Sequence, residues 1–196
     1  MSVLNSILLK VSSVKGIFLL FVASQMVFLL MMIYTFPEIN HQIGTKAFDL
    51  QTFGYSVSTA ESIVNNLDDR TVGLYLFPQL MLLDIVYPFL LALLLSGLLF
   101  RLIKTTQNEG KIISKLLILP FVAMIFDYSE NIGVILMISK SIEVSETIVY
   151  LSSTATILKG VSTSIAWIAI LVLSMKWIIT KIGKKNKIQV ATAEFS

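Results

Sequence analysis

Four stretches of this chain are long and apolar enough that a lipid bilayer is their natural solvent. A helix rises about 1.5 Å per residue, so crossing roughly 30 Å of hydrocarbon takes about 20 mostly apolar residues. The stretches run from about Gly16 to Phe36, Leu74 to Phe100, Ile112 to Ile138 and Thr147 to Ile179, the first stopping at Pro37. The fold expected is all-α, an integral membrane four-helix bundle in which residues 1–196 form a single transmembrane domain. Composition agrees: only 14% of residues are charged, against about 25% in a soluble domain. The first stretch reads as a retained helix. Its apolar run continues to Ile33, longer than the roughly 7–15 residues of a cleaved signal core.

Basic residues set the expected orientation. Lys10 and Lys15, then Arg101, Lys104, Lys111 and Lys115, then Lys176, Lys181, Lys184, Lys185 and Lys187 fall on one side. Lys46, Arg70 and Lys140 fall on the other. Both termini are therefore expected to be cytoplasmic, with a basic tail over 180–196 that fixes topology and could also meet anionic lipid. The opposite side carries an outer loop, 37–73. Its first part, with Gly44, Gly54 and Tyr55, reads as irregular. Ser58-Thr59-Ala60-Glu61 has capping-box spacing, and Ile63, Val64 and Leu67 share a helical face. A short extra helix covering the bundle's outer mouth is expected there.

The constraint on function is charge inside the apolar stretches. Each ionisable residue there costs roughly 2.5–3.5 kcal/mol on insertion scales. Asp84, Asp127, Glu130 and Lys159 all lie within them. Counting inward from the outer ends places these four at depths of roughly 12–18 Å, near mid-membrane. Gln25 comes out at a similar depth. Spacing of three and four residues puts Asp84, Tyr87 and Pro88 on one face, and Asp127, Glu130 and Asn131 on another. On the fourth helix Ser152, Thr156, Gly160 and Ser164 form a small-residue ladder that allows close helix approach, and Lys159 should point inward with it. Pro78, Pro88 and Pro120 each remove a helix hydrogen bond and are expected to bend their helices. Three acids against one lysine mean that at least one carboxyl carries a proton, binds a cation or faces water.

The candidate binding residues are thus Asp84, Tyr87, Asp127, Glu130, Asn131, Lys159 and Gln25. Three readings compete. In the first, the layer binds or conducts a cation, a proton or a small polar ligand, and four helices then call for a homo-oligomer or a membrane partner. Oxygen ligands would suit Mg²⁺, Ca²⁺ or Mn²⁺ better than zinc, and an Asp127→Asn change would abolish binding. In the second, the layer is polar glue that fixes helix register or a partner contact. In the third, the acids and the lysine perform acid–base chemistry on a lipid. No serine, HExxH or phosphate-loop signature accompanies that reading. The absence of cysteine and the single His41 exclude thiolate metal sites and zinc held by several histidines. Nucleic-acid binding has no support, since the basic residues are few, sit at the membrane face and accompany no aromatic-bearing motif. The motifs Asp84-x-x-Tyr87-Pro88 and Asp127-x-x-Glu130-Asn131 resemble a pattern of uncharacterised bacterial four-helix integral membrane proteins. The resemblance implies that fold, a bacterial inner membrane and no particular activity.

Overall fold

The computed structural model describes residues 8–107, 110, 113 and 115–193, with the side chains of the last helix described as far as Gly183. The described residues contain helix and irregular segments and no strand. In chain order the elements are α1 Val14–Ile43, the short α2 Val57–Asn66, α3 Asp69–Thr105, α4 Leu119–Ile138 and α5 Glu146–Ala193. Among the described residues, α1, α3, α4 and α5 as far as Gly183 are the four helices long and apolar enough to cross a membrane. α4 lies along α5, and α3 packs against α1, α4 and α5. α1 leans on α3 and meets α5 through no more than isolated contacts.

Most of the buried apolar residues form two blocks. An outer block joins Ile39, Phe48, Ile63, Tyr75, Leu80 and Met137, with contributions from α1, α2, α3, α4 and the outer loop. An inner block joins Leu95, Leu99 and Ile103 of α3 to Ala166, Ile170 and Leu173 of α5. The charged residues sit between them.

Several boundaries differ from those the sequence suggests, and prolines explain most of them. Pro37 does not end the first helix. A wider π-helical turn, Met31–Thr35, precedes it, and α-helix resumes over Phe36–Ile43 with Pro37 in its first turn. Proline lacks an N–H and its ring crowds the carbonyl four residues back. The π turn opens the ladder at that point, the Phe36 N–H bonding to Met31 O, and the Thr35 hydroxyl donates to Met31 O at 3.1 Å. The helix ends at Gly44, whose φ of 70° is the left-handed cap glycine adopts without strain. α3 begins earlier than expected, after Asp68 accepts the Thr71 N–H at 2.8 Å. It is kinked at Phe77 (φ −142°, ψ 124°), the residue that Pro78 pushes out of the helical region.

The helix expected from Ile112 starts at Leu119, residues 116–118 being turns, and Pro120 stands in its first turn. Pro120 therefore opens a helix instead of bending one. α2 is capped by Ser56, which accepts the Thr59 N–H at 3.2 Å, so Ser58 lies inside it. Ile63, Val64 and Leu67, the face expected from the spacing, are buried, and so is Ala60. The segment expected as a basic tail remains helical to Ala193; the side chains of Lys111, Lys184, Lys185 and Lys187 lie outside the described residues.

Candidate functional site

Two sequence motifs on different helices are joined by a single backbone group. Pro88 has no N–H, so the Asp84 carbonyl one turn earlier loses its helical partner. A freed carbonyl in an apolar layer needs another donor. Asn131 of α4 supplies it, its side-chain amide donating to Asp84 O at 3.3 Å. One turn away the Tyr128 hydroxyl donates to Ile85 O at 2.8 Å. Asn131 is thus a structural partner of Pro88.

Lys159 meets the acids of α4, as its position beside the small-residue ladder suggests. Its Nζ lies 2.9 Å from Asp127 Oδ1 and 2.5 Å from Glu130 Oε2. The Asp127 contact is a hydrogen bond, whereas Glu130 makes an ion contact without hydrogen-bond geometry. Close helix approach brings the lysine there: a side chain on Gly133 of α4 would collide with Ser152 of α5. Ser152 and Thr156 are buried along that seam, but Ser164 at the ladder's far end is exposed. Glu130 is 1% exposed and Lys159 19%, so the pair is largely out of solvent.

A fifth charged residue, which reading the apolar stretches alone misses, completes the layer. The outer loop descends into the bundle, burying Ala47 and Phe48 fully. The Ala47 N–H is held by the Asn40 side chain at 2.7 Å, and the Phe48 N–H by the Tyr75 hydroxyl at 2.9 Å. The same hydroxyl donates to Asp49 Oδ2 at 2.6 Å. Asp49, in a 3₁₀ turn over Phe48–Leu50, thereby joins Asp84 in the lining of one cavity. The one signal available in the sequence was a carboxylate beside an apolar pair in a long loop. Tyr55 follows the loop down: its N–H bonds to Ser153 Oγ at 2.8 Å and its ring meets Phe48 edge-on. Burial, then the charge of Glu130, push its phenol above the usual range.

A cavity of about 350 Å³ opens at this layer, lined from all four long helices and from the loop. Asp49, Asp84, Tyr87, Pro88, Asp127 and Lys159 line it. Glu130 and Asn131 are buried beside it without lining it. Gln25 does not line it. Phe28, one turn further out, stacks on Tyr87 with ring centroids 5.7 Å apart, so Gln25 lies below the charged level. Its depth was counted from a helix end at Phe36, and α1 actually runs on to Ile43.

Several buried polar atoms find no hydrogen-bond partner in the protein, among them Asp84 Oδ2, both Glu130 carboxyl oxygens, Asn131 Oδ1 and the Tyr55 hydroxyl. Among the described residues, no three histidine or carboxylate side chains are grouped to hold a metal ion. Comparison with protein-family models, curated proteins and solved structures finds no match for this chain.

Proposed function

We propose that this chain is a multi-pass membrane protein that binds a small cationic group at the acidic layer between its helices. Insertion is supported by what the helices leave outside. Phe18, Leu19, Phe21, Met26, Leu29 and Ile33 of α1 stand half or more exposed. That is a continuous apolar surface far larger than a water-soluble monomer tolerates. The cytoplasmic placement of both termini is supported by the basic ends meeting. Arg101 of α3 donates to Ser12 O, just before α1, at 3.1 Å. Lys181 lies 5.0 Å over the Trp177 ring at the corresponding end of α5.

The observation that carries the binding reading is the Asp84 carboxyl, whose Oδ2 has no hydrogen-bond partner, in the wall of a cavity that touches every span. Asp49, Asp84, Asp127 and Glu130 set four carboxyls against Lys159, and Lys159 is taken up by Asp127 and Glu130. The Asp49–Asp84 side is left with two carboxyls and no cation of the protein's own. With no three-ligand grouping for a metal among the described residues, an ammonium or a monovalent ion suits it better than the Mg²⁺, Ca²⁺ or Mn²⁺ expected from the sequence. The opposite half, Lys159 with Asp127 and Glu130, supports the glue reading, since it ties α4 to α5. The layer thus divides into a paired half that holds register and an unpaired half that binds.

The test is thermal unfolding in phosphatidylcholine nanodiscs with Na⁺, K⁺ or methylammonium at constant ionic strength. A ligand that binds only the folded state raises the midpoint as its concentration rises. A saturable rise is expected with one of these in the wild type and not in Asp84→Asn. No rise with any of them, or an equal rise in the variant, overturns the proposal.

A further inference from the structure

The geometry points to a single-chain amphiphile with an ammonium head as the occupant of the cavity: its head lies between Asp49 and Asp84 and its tail runs inward along α3. This deepens the binding reading above and rests on it. The charged lining is Asp49, Asp84 and the Asp127–Lys159 pair, and the remainder is apolar apart from Thr163 and Ser164 of α5. Asp49 and Asp84 stand at the outer end, and the lining then continues through Leu91, Ala92 and Leu95 of α3. From Asp84 to Leu95 is about 16 Å of helix at roughly 1.5 Å per residue. Pro120 and Ala123 of α4 and Phe28 of α1 close the same apolar portion. A bare inorganic cation would use the acids and leave this length without a role.

The head is fixed by charge and by donors. Asp84 is 4% exposed and its Oδ2 has no partner. Asp49 has one donor from Tyr75. An ammonium brings a positive charge and three N–H donors to two adjacent carboxyls. A phosphate or sulfonate head would face those carboxyls with like charge. The tail is fixed by volume. At about 30 Å³ per heavy atom, 350 Å³ holds about a dozen, which is a head and a chain of about ten carbons.

The way in is lateral. α1 and α5 scarcely meet, and the cavity lies between them. Met32 of α1, 38% exposed, and Ser164 of α5, also exposed, both line it and stand on its two lips. In a bilayer that side opens onto acyl chains, so an amphiphile could slide in from the membrane without crossing water.

The experiment compares decylammonium, methylammonium and decanesulfonate as ligands for the full chain in phosphatidylcholine nanodiscs, each at a fixed mole ratio to lipid. The variants are Asp84→Asn, which removes the head site, and Gly160→Leu, which fills the cavity. Gly160 lines the cavity, and the nearest atom to an added Cβ is Thr52 O at 3.9 Å, so a Cβ there meets only ordinary van der Waals contact. Decylammonium should raise the wild-type midpoint by roughly 5–10 °C at about a hundredfold excess over Kd. Decanesulfonate should not raise it, and both variants should lose the rise. If methylammonium or an inorganic cation binds in the wild type and in Gly160→Leu while decylammonium does not, the acidic site stands and the amphiphile is overturned. A decylammonium rise that survives in Asp84→Asn is a bilayer effect and overturns it too. If no cation acts on the wild type, both proposals fall together.

Discussion

Replacing Lys159 with methionine keeps the length and apolar stem of the side chain and removes only its charge. Asp127 and Glu130 then lose the cation 2.9 Å and 2.5 Å away. Glu130 is 1% exposed and already lacks a hydrogen bond to either oxygen, so little else compensates it. Removing one member of a buried ion pair costs about 3–5 kcal/mol. In a chain of this size each kcal/mol moves the unfolding midpoint by about 2–4 °C. Lys159→Met should therefore unfold roughly 6–20 °C below wild type, followed by circular dichroism in nanodiscs. The cost comes from stranded charge, so neutralising the partners should restore most of it. The triple variant Asp127→Asn, Glu130→Gln, Lys159→Met is expected within about 1–2 kcal/mol of wild type, because neutral replacements of a buried pair are often tolerated. A single variant within about 2 °C of wild type would refute the pairing as a source of stability. A triple variant as unstable as the single would show that the lysine acts through shape and not charge.

Gly133→Ala should destabilise by about 1–3 kcal/mol, since its Cβ meets Ser152 on the facing helix, and Ser152→Gly in the same chain should recover the loss in a thermal melt. Tyr75→Phe strands the Phe48 N–H and removes a donor from Asp49. It should cost about 1–3 kcal/mol and speed amide exchange across residues 47–51. At Asp68, the hydrogen bonds from Thr71, its side chain first and then its backbone, hold the carboxyl below its usual range. A carboxyl lowered in the folded state stabilises above its unfolded pKa, and that contribution fades as pH falls through the folded value. The stability gap between wild type and Asp68→Asn should thus be present at neutral pH and close in acid, read as midpoint against pH.

The four apolar helices were legible because hydropathy over 20 residues is a strong signal that tertiary contacts rarely override. The facing of Asp84, Tyr87 and Pro88 followed from helical periodicity, and so did the meeting of Lys159 with Asp127 and Glu130. What periodicity carries poorly is where a helix ends. Pro37 reads as a stop, yet a π turn accommodates it, and the same six or seven residues of extra helix displace Gln25 from the charged level. Asp49 was illegible for a different reason. Its place is set by contacts remote in sequence, from Asn40 and Tyr75, which draw a loop down into the bundle. Counting depth along helices cannot find a residue that arrives from a loop. The link between Pro88 and Asn131 was visible only as two motifs, since nothing local tells that the donor of one serves the carbonyl freed by the other.

That link bears on how the chain is made. Ribosomes deliver α3 before α4, so Pro88 and the Asp84 carbonyl it frees emerge while Asn131 is still unsynthesised. In a membrane, α3 would then carry an unpaired carbonyl until Asn131 of α4 arrives. Asp127 and Glu130 of α4 wait in the same way for Lys159 of α5. Each polar helix is completed by the one translated after it. In a bilayer, such an order of spans would favour release of α3, α4 and α5 as a group, since each freed or charged group meets its partner only on the next helix.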